Sequence, residues 1–283
     1  MNLFSSRWRI ALVCAVGLLT LPLLTFHLIP DKVYLQTLQS LLASQGLSME
    51  ATRLGKRFPV GLYANTLAIN DTKGTLCTFD HLSLDLQLMP LLIGRVRGSV
   101  NGRINTGELS GNLTVYPKNS QAASLALNNL QLETIPGITA RLGAPLQGTA
   151  QLDLRLAKLG EGMQGETRLK IEAVRLQEVQ LGGVRLPDLA VPEVRGLLKI
   201  QGQTVHVENL ALQGDGIYLR LNGQLPLSAT TPLKATLELL PSAEFLEQQK
   251  TVFLLMLPYQ TSPGSYRLPI TGTLESPQIA AGN

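Results

Sequence analysis

His81, Ser83 and Asp85 occupy alternate positions of the stretch HLSLDLQL. A histidine, a hydroxyl and a carboxylate are the parts of an acyl-transfer triad. On a strand, however, alternate residues share a face and stand roughly 6.7 Å apart per step. A triad needs hydrogen-bond contact and a nucleophile on a strained, exposed turn, so these three read as a solvated polar face. His206 and Glu208 share a strand face between valines, and two ligands are too few for a metal site. The stretch QLGGVRL has two glycines but no Lys-Ser/Thr pair, and it leads into no helix, so it reads as a turn and not a phosphate loop. Asp153 and Glu172 lie near Arg155 and Arg175 among apolar residues, as cross-strand ion pairs would. The chain has 3 histidines, and no carboxylate is flanked in a way that would raise its pKa. The sequence therefore points away from an enzyme, with no catalytic residue, cofactor or metal site.

What must be positioned instead is a series of apolar faces. From Leu47 onward the hydrophobic period is two, the signature of half-buried strands. Leu82, Leu84, Leu86 and Leu88 share one face, as do Leu152, Leu154 and Leu156, and then Leu169, Ile171 and Ala173. The stretch VHVENLALQGDGIYLRLNGQLPL (Val205–Leu227) gives two more strands about Gln213–Gly216, the second carrying Ile217, Leu219 and Leu221. Glycines 94, 98, 102, 107, 111, 148, 165, 196, 202, 214, 216 and 223 punctuate the series and are expected at hairpin turns or bulges. Short connections imply antiparallel neighbours. Two helical stretches interrupt the strands, Leu132–Gly143 and Ser242–Pro258. They are too few to cover so many strands, and a one-sided sheet must bury its apolar face against something. The sheet is thus expected to curl onto itself, or to line an apolar groove with Leu82, Leu84, Leu86, Leu152, Leu154, Leu156, Leu169, Ile171, Ile217, Leu219 and Leu221.

Composition agrees with an aliphatic β protein. Of 283 residues, 45% are hydrophobic but only 5% aromatic. Charged residues make up 16% of the chain, against about 25% in average soluble proteins. The net charge of +4 is spread out, with no Lys/Arg cluster for nucleic acid. Cys14 and Cys77 lie in different environments and read as two unpaired apolar thiols.

The N-terminus reads as a membrane anchor. Ile10–Ile29 carry no formal charge, and about 20 residues of helix cross a bilayer core. Arg7 and Arg9 precede this run, which places a tail of residues 1–9 in the cytoplasm and the bulk of the chain outside it. The run ends in bulky residues without an A-x-A pattern, unlike a cleaved signal peptide. His27 falls in its last turn and reads as interfacial. Residues 31–46 follow as an amphipathic juxtamembrane helix, with Val33, Leu35, Leu38, Leu41 and Leu42 at helical spacing. Its polar face has few cations for headgroups, so it is expected to close the end of the sheet.

Three phrases carry a resemblance: RFPVGLYANTLAI (Arg57–Ile69), VRLPDLAVPEVRGLLKIQGQTVHVENLALQGDGIYLRLNGQLPL (Val184–Leu227) and LPITGTLESPQI (Leu268–Ile279). With the anchor, they resemble the GspN family of type II secretion system proteins, and the last phrase resembles the closing strand of AsmA-like proteins. The resemblance implies a mainly β chain, with an N-terminal transmembrane helix and then an elongated, curled antiparallel β-sheet (half-tube or taco-like) with two or three short helices. The β domain would occupy residues 47–283, in the periplasm. The implied role is that of a non-enzymatic, inner-membrane accessory of type II secretion. The alternative is an AsmA-like module that binds or transfers lipid. Expected partners are the inner membrane, other secretion components and lipid, but no nucleic acid.

Overall fold

The computed structural model describes residues 20, 23–44, 46–71, 74–117, 120–138, 145–159, 162–176, 180–181, 184–185, 189–227, 231–273 and 277–280. The chain is mainly β and antiparallel, with few and short helices. It divides into two compact units, Met1–Ala123 and Ser124–Asn283. The expected span over 10–29 lies mostly outside the described residues, as do Cys14 and the glycine pair of QLGGVRL; Thr20 and residues 23–28 are helical. Among the described residues no helix is long and apolar enough to cross a membrane.

The first unit opens with helix α1 (Asp31–Ala43). Extended Pro30 precedes it, and Asp31 in its first turn complements the positive end of the helix dipole. Then come β1 (Ser48–Thr52), β2 (Gly55–Arg57), β3 (Gly61–Asp71), β4 (Gly74–Gln87), β5 (Val96–Ile104) and β6 (Gly107–Val115). The strand order is β1-β3-β4-β5-β6, with β2 also on β3. Leu35, Leu38 and Leu42 of α1 pack against Met49, Ala64 and Leu67. The helix therefore covers sheet, while Val33 and Leu41, expected on the same stripe, stay exposed.

Strand β7 (Gln121–Gln131) contains the division between the units. The expected helix at Leu132–Gly143 is reduced to a 3₁₀ turn, Leu132–Thr134, and helical residues 136–138; residues 139–144 lie outside the described set. The second unit contains β8 (Leu146–Leu159), β9 (Gly162–Leu176), a small hairpin of β10 (Gln180–Leu181) and β11 (Val184–Arg185), β12 (Leu189–Gln201), β13 (Thr204–Gly214), β14 (Ile217–Pro226) and β15 (Lys234–Pro241). Helices α2 (Ala243–Gln248) and α3 (Lys250–Leu255) follow, then β16 (Gln260–Ser262), β17 (Ser265–Gly272) and β18 (Pro277–Ile279). The strand order is β8-β9-β12-β13-β14-β15-β17, with β16 and β18 both on β17. The single helix expected over Ser242–Pro258 is two short ones. The Ser242 side chain accepts from the Phe245 amide to cap α2, and Gln249 leaves helical geometry between α2 and α3.

Two long strands keep their apolar side by flipping parity. His81 in β4 and Ala173 in β9 have φ 51°, a left-handed value that costs energy for a residue with a Cβ. Each sits at a bulge, where its strand carries one residue more than its partner between paired positions. The result is that Phe79 and Leu82 join the same cluster under α1, and Ile171 and Val174 join another. Ala173 is thus exposed, contrary to the strict alternation that put it beside Ile171, and Val174 takes the buried place.

Candidate functional site

The strand register of the second unit aligns its apolar residues into rows that cross seven strands. One row runs Ala150, Ile171, Val194, Leu212, Leu219, Leu239 and Tyr266. The next runs Leu152, Leu169, Gly196, Leu210, Leu221, Leu237 and Leu268, and a third begins Leu154, Thr167, Leu198 and Val207. Leu156 and Ile200 flank Gly165 in a fourth. Every residue expected on this face in the second unit (Leu152, Leu154, Leu156, Leu169, Ile171, Ile217, Leu219 and Leu221) therefore shares one side of the sheet.

Several of the glycines expected at turns or bulges lie within regular pairing instead. Gly98, Gly102, Gly111, Gly165 and Gly196 lie inside strands. A Cβ on Gly196 would meet Leu210 Cδ1 at 2.9 Å and Leu169 Cβ at 3.4 Å. One on Gly165 would meet Leu156 Cδ2 at 2.5 Å, and one on Gly102 would meet Leu82 Cδ1 at 2.8 Å. The recurrent glycine thus makes a floor into which a neighbouring strand's leucine leans. That close approach is a packing role of strand glycine. Gly202 and Gly216 do sit in the hairpin turns expected of them, with φ 61° and 79°.

Among the described residues the face is covered at one end, buried around Val174, Val191 and Val194, and half-exposed between them. Phe253 of α3, with Phe245 and Leu246 of α2, packs over Ile217, Leu239, Tyr266 and Leu268. Ring centroids of Phe253 and Tyr266 lie 5.1 Å apart. Ile217 is buried there and Leu219 packs against that cluster. Leu152, Leu154, Leu156, Leu169, Ile171 and Leu221 remain half-buried, while the small floor residues Thr167 and Val207 between them are buried. In the first unit, Leu82 packs toward α1, Leu86 is half-buried and Leu84 is 48% exposed. In a sealed core all of these leucines would be buried.

The opposite face of the second unit is a ladder of charge. Arg168 pairs with Glu166 at 2.8 Å, Arg195 with Glu193 at 2.7 Å, Lys199 with Glu208 at 2.6 Å and Arg267 with Glu238 at 2.9 Å. Lys170 bridges Glu172 and Glu193. Glu172 thus pairs along its own strand with Lys170, and not with Arg155 or Arg175 as its sequence neighbourhood suggested. A shallow depression of about 460 Å³ on this face is lined by Asp153, Arg168, Lys170 and Arg195, among others. Its three cations are engaged by Glu166, Glu172 and Glu193 beside it.

Hydrogen bonding to Arg195, helped by the nearby Lys170 ammonium, holds the Glu193 carboxyl below the usual carboxylate range. Pairing with Glu172 and Glu193 raises Lys170 above its ordinary value. A depressed carboxyl contributes stability that is complete above its unfolded pKa and is lost as pH falls through the folded one. Glu193→Gln is therefore expected to narrow the stability gap between pH 7 and pH 3 in urea titrations. An unchanged acid limb would show that the pair contributes nothing. Lys170 acts at the other extreme: its contribution is complete below its unfolded pKa and is lost only as alkaline pH rises through the raised one.

The residues that first suggested chemistry do not converge. His81 is exposed, the Ser83 hydroxyl donates to the Asn101 carbonyl at 3.4 Å, and Asp85 pairs with Arg57 at 3.5 Å. Glu208 is engaged by Lys199. No group of three or more metal-ligating side chains occurs among the described residues. Cys77 is a free, half-buried thiol whose pKa burial pushes up, which disfavours the reactive thiolate. The small-residue floor and the two parity flips are what sequence reasoning missed. The glycines aligned with leucines were the available signal for the first, and no local signal marks the second.

Comparison of the chain with protein-family models, with characterised proteins and with solved structures finds no match to any of them.

Proposed function

We propose that the chain is a non-enzymatic accessory of type II secretion, held in the inner membrane by a span over 10–29, with its N-terminus in the cytoplasm and its sheet in the periplasm. The observation that supports this reading best is the mainly antiparallel strand series itself, the architecture that resemblance to the GspN family implies. Its work would be done by surfaces, through the matched charged face and through outer strands such as β1, whose backbone can accept a partner strand. Capture of the full chain from a mild-detergent membrane extract is expected to bring down other secretion components. Recovery of the chain alone, under conditions that preserve the secretion machine, would overturn the proposal.

A second reading, an AsmA-like lipid-binding module, is favoured by the half-buried aliphatic rows. Flexible acyl chains fit an aliphatic lining, and a curled sheet would turn these rows into a trough. Residues 30–283, which keep α1 on its cluster, are expected to carry lipid in detergent-free native mass spectrometry. Leu154→Asp combined with Leu221→Asp is expected to remove most of that lipid while leaving the far-UV circular dichroism unchanged. A stable wild-type domain without lipid would refute this reading.

A further inference from the structure

The turn between β2 and β3 carries the most exposed large apolar side chain among the described residues, Phe58, at 76%. Its neighbour Arg57 pairs loosely with Asp85 at 3.5 Å and leaves over half of its side chain exposed. A single exposed phenylalanine is ordinary on a protein surface. The position of this one is not, because Lys56, two residues earlier, ties the turn to the end of the uncharged N-terminal run. The Lys56 ammonium donates to the His27 carbonyl at 2.9 Å and pairs with Asp31 at 3.3 Å, and only 17% of its side chain is exposed. It also lies 6.0 Å from the centre of the Tyr34 ring. Tyr34 in turn stacks at 5.1 Å on Phe26 and donates its hydroxyl to the Phe26 carbonyl at 3.1 Å. Leu24 and Leu28, one helical turn apart on the run, are exposed.

Aromatic rings with one polar end, and cations flanking apolar residues, are what a protein places at the boundary of acyl chains and headgroups. We infer that the Arg57–Phe58–Pro59 turn is a second contact with the bilayer. Phe58 enters the acyl–headgroup boundary, Arg57 faces lipid phosphate, and Lys56 holds the turn level with the end of the span. This rests on the inner-membrane reading above. Its consequence is that the first unit is attached at two points and cannot swivel freely about its anchor.

The test uses the full chain in vesicles of phosphatidylethanolamine and phosphatidylglycerol. Trp8, the single tryptophan, is changed to phenylalanine, and a reporter is introduced as Phe58→Trp or, for comparison, Thr75→Trp. Thr75 pairs with Asn70 at the far end of the β3–β4 hairpin, about 30 Å along the strand from the turn. Lipids brominated near the headgroup are expected to quench the reporter at 58 at least about twofold more than that at 75, as an interfacial depth of several ångströms requires. Aqueous iodide is expected to show the reverse order. Iodide quenching the two reporters equally, with the chain retained on the vesicles after alkaline washing, would overturn the contact and leave the anchor intact. Loss of the chain in that wash would overturn both.

Discussion

Replacing Gly223 with valine is expected to destabilise the second unit by more than about 3 kcal/mol, the sum of backbone strain and overpacking. Gly223 lies in β14 with φ 147°, where L-residues are rarely found. A Cβ there would stand 2.4 Å from the Lys234 carbonyl oxygen and 2.5 Å from the Ala235 Cα. Both are backbone atoms of the adjacent β15, so no side-chain rotation relieves the clash. Gly202→Asn is the matched control. Gly202 also has a positive φ, 61°, but no atom lies within 4 Å of its would-be Cβ, and asparagine tolerates this region. That change is expected to cost under about 1 kcal/mol. Urea midpoints of the two variants in residues 30–283 check the difference. Equal midpoints would mean that β14 and β15 are not paired as described.

The second large effect separates the covered part of the apolar face from the open part. Phe253→Ala is expected to cost about 3–5 kcal/mol, the usual range for a buried phenylalanine. Its ring is buried against Ile217, Leu239, Tyr266 and Leu268. Leu154→Ala removes a half-buried leucine on the same side of the sheet, and is expected to cost only about 1 kcal/mol, since part of that side chain already meets solvent. The comparison is made by denaturant unfolding at one temperature. If the two variants lose the same stability, the leucine rows are a closed core, and the lipid-binding reading loses the observation that favours it.

Much of this architecture was legible along the chain. The period of two over Leu82–Leu88, Leu152–Leu156 and Val205–Leu227 named the strands and their apolar side, because alternate residues of a strand share a face. Asp215-Gly216 marked a hairpin turn by its chemistry, and β13 and β14 meet there with Gly214 opposite Ile217. Other features were not legible, because they belong to neighbours in space. Ala173 follows the alternation in sequence, yet it lies at a bulge with a left-handed φ of 51°. Gly196 looks like a turn residue until Leu169 and Leu210 are placed over it from the two adjacent strands. Lys170 lies two residues from Glu172 in sequence, but its second partner, Glu193, comes from the adjacent strand.

The sequence by itself determined the class of protein: strand-built and aliphatic. Those properties follow from residue type and period, which are local. The tertiary structure decided which glycines are floor and which are turns. It also decided that α1, α2 and α3 cover the clusters around Ala64 and Tyr266, while leucines such as Leu154 and Leu221 stay half-buried. The reason is physical: burial is a property of what lies opposite a side chain, and no residue carries that information in its own identity.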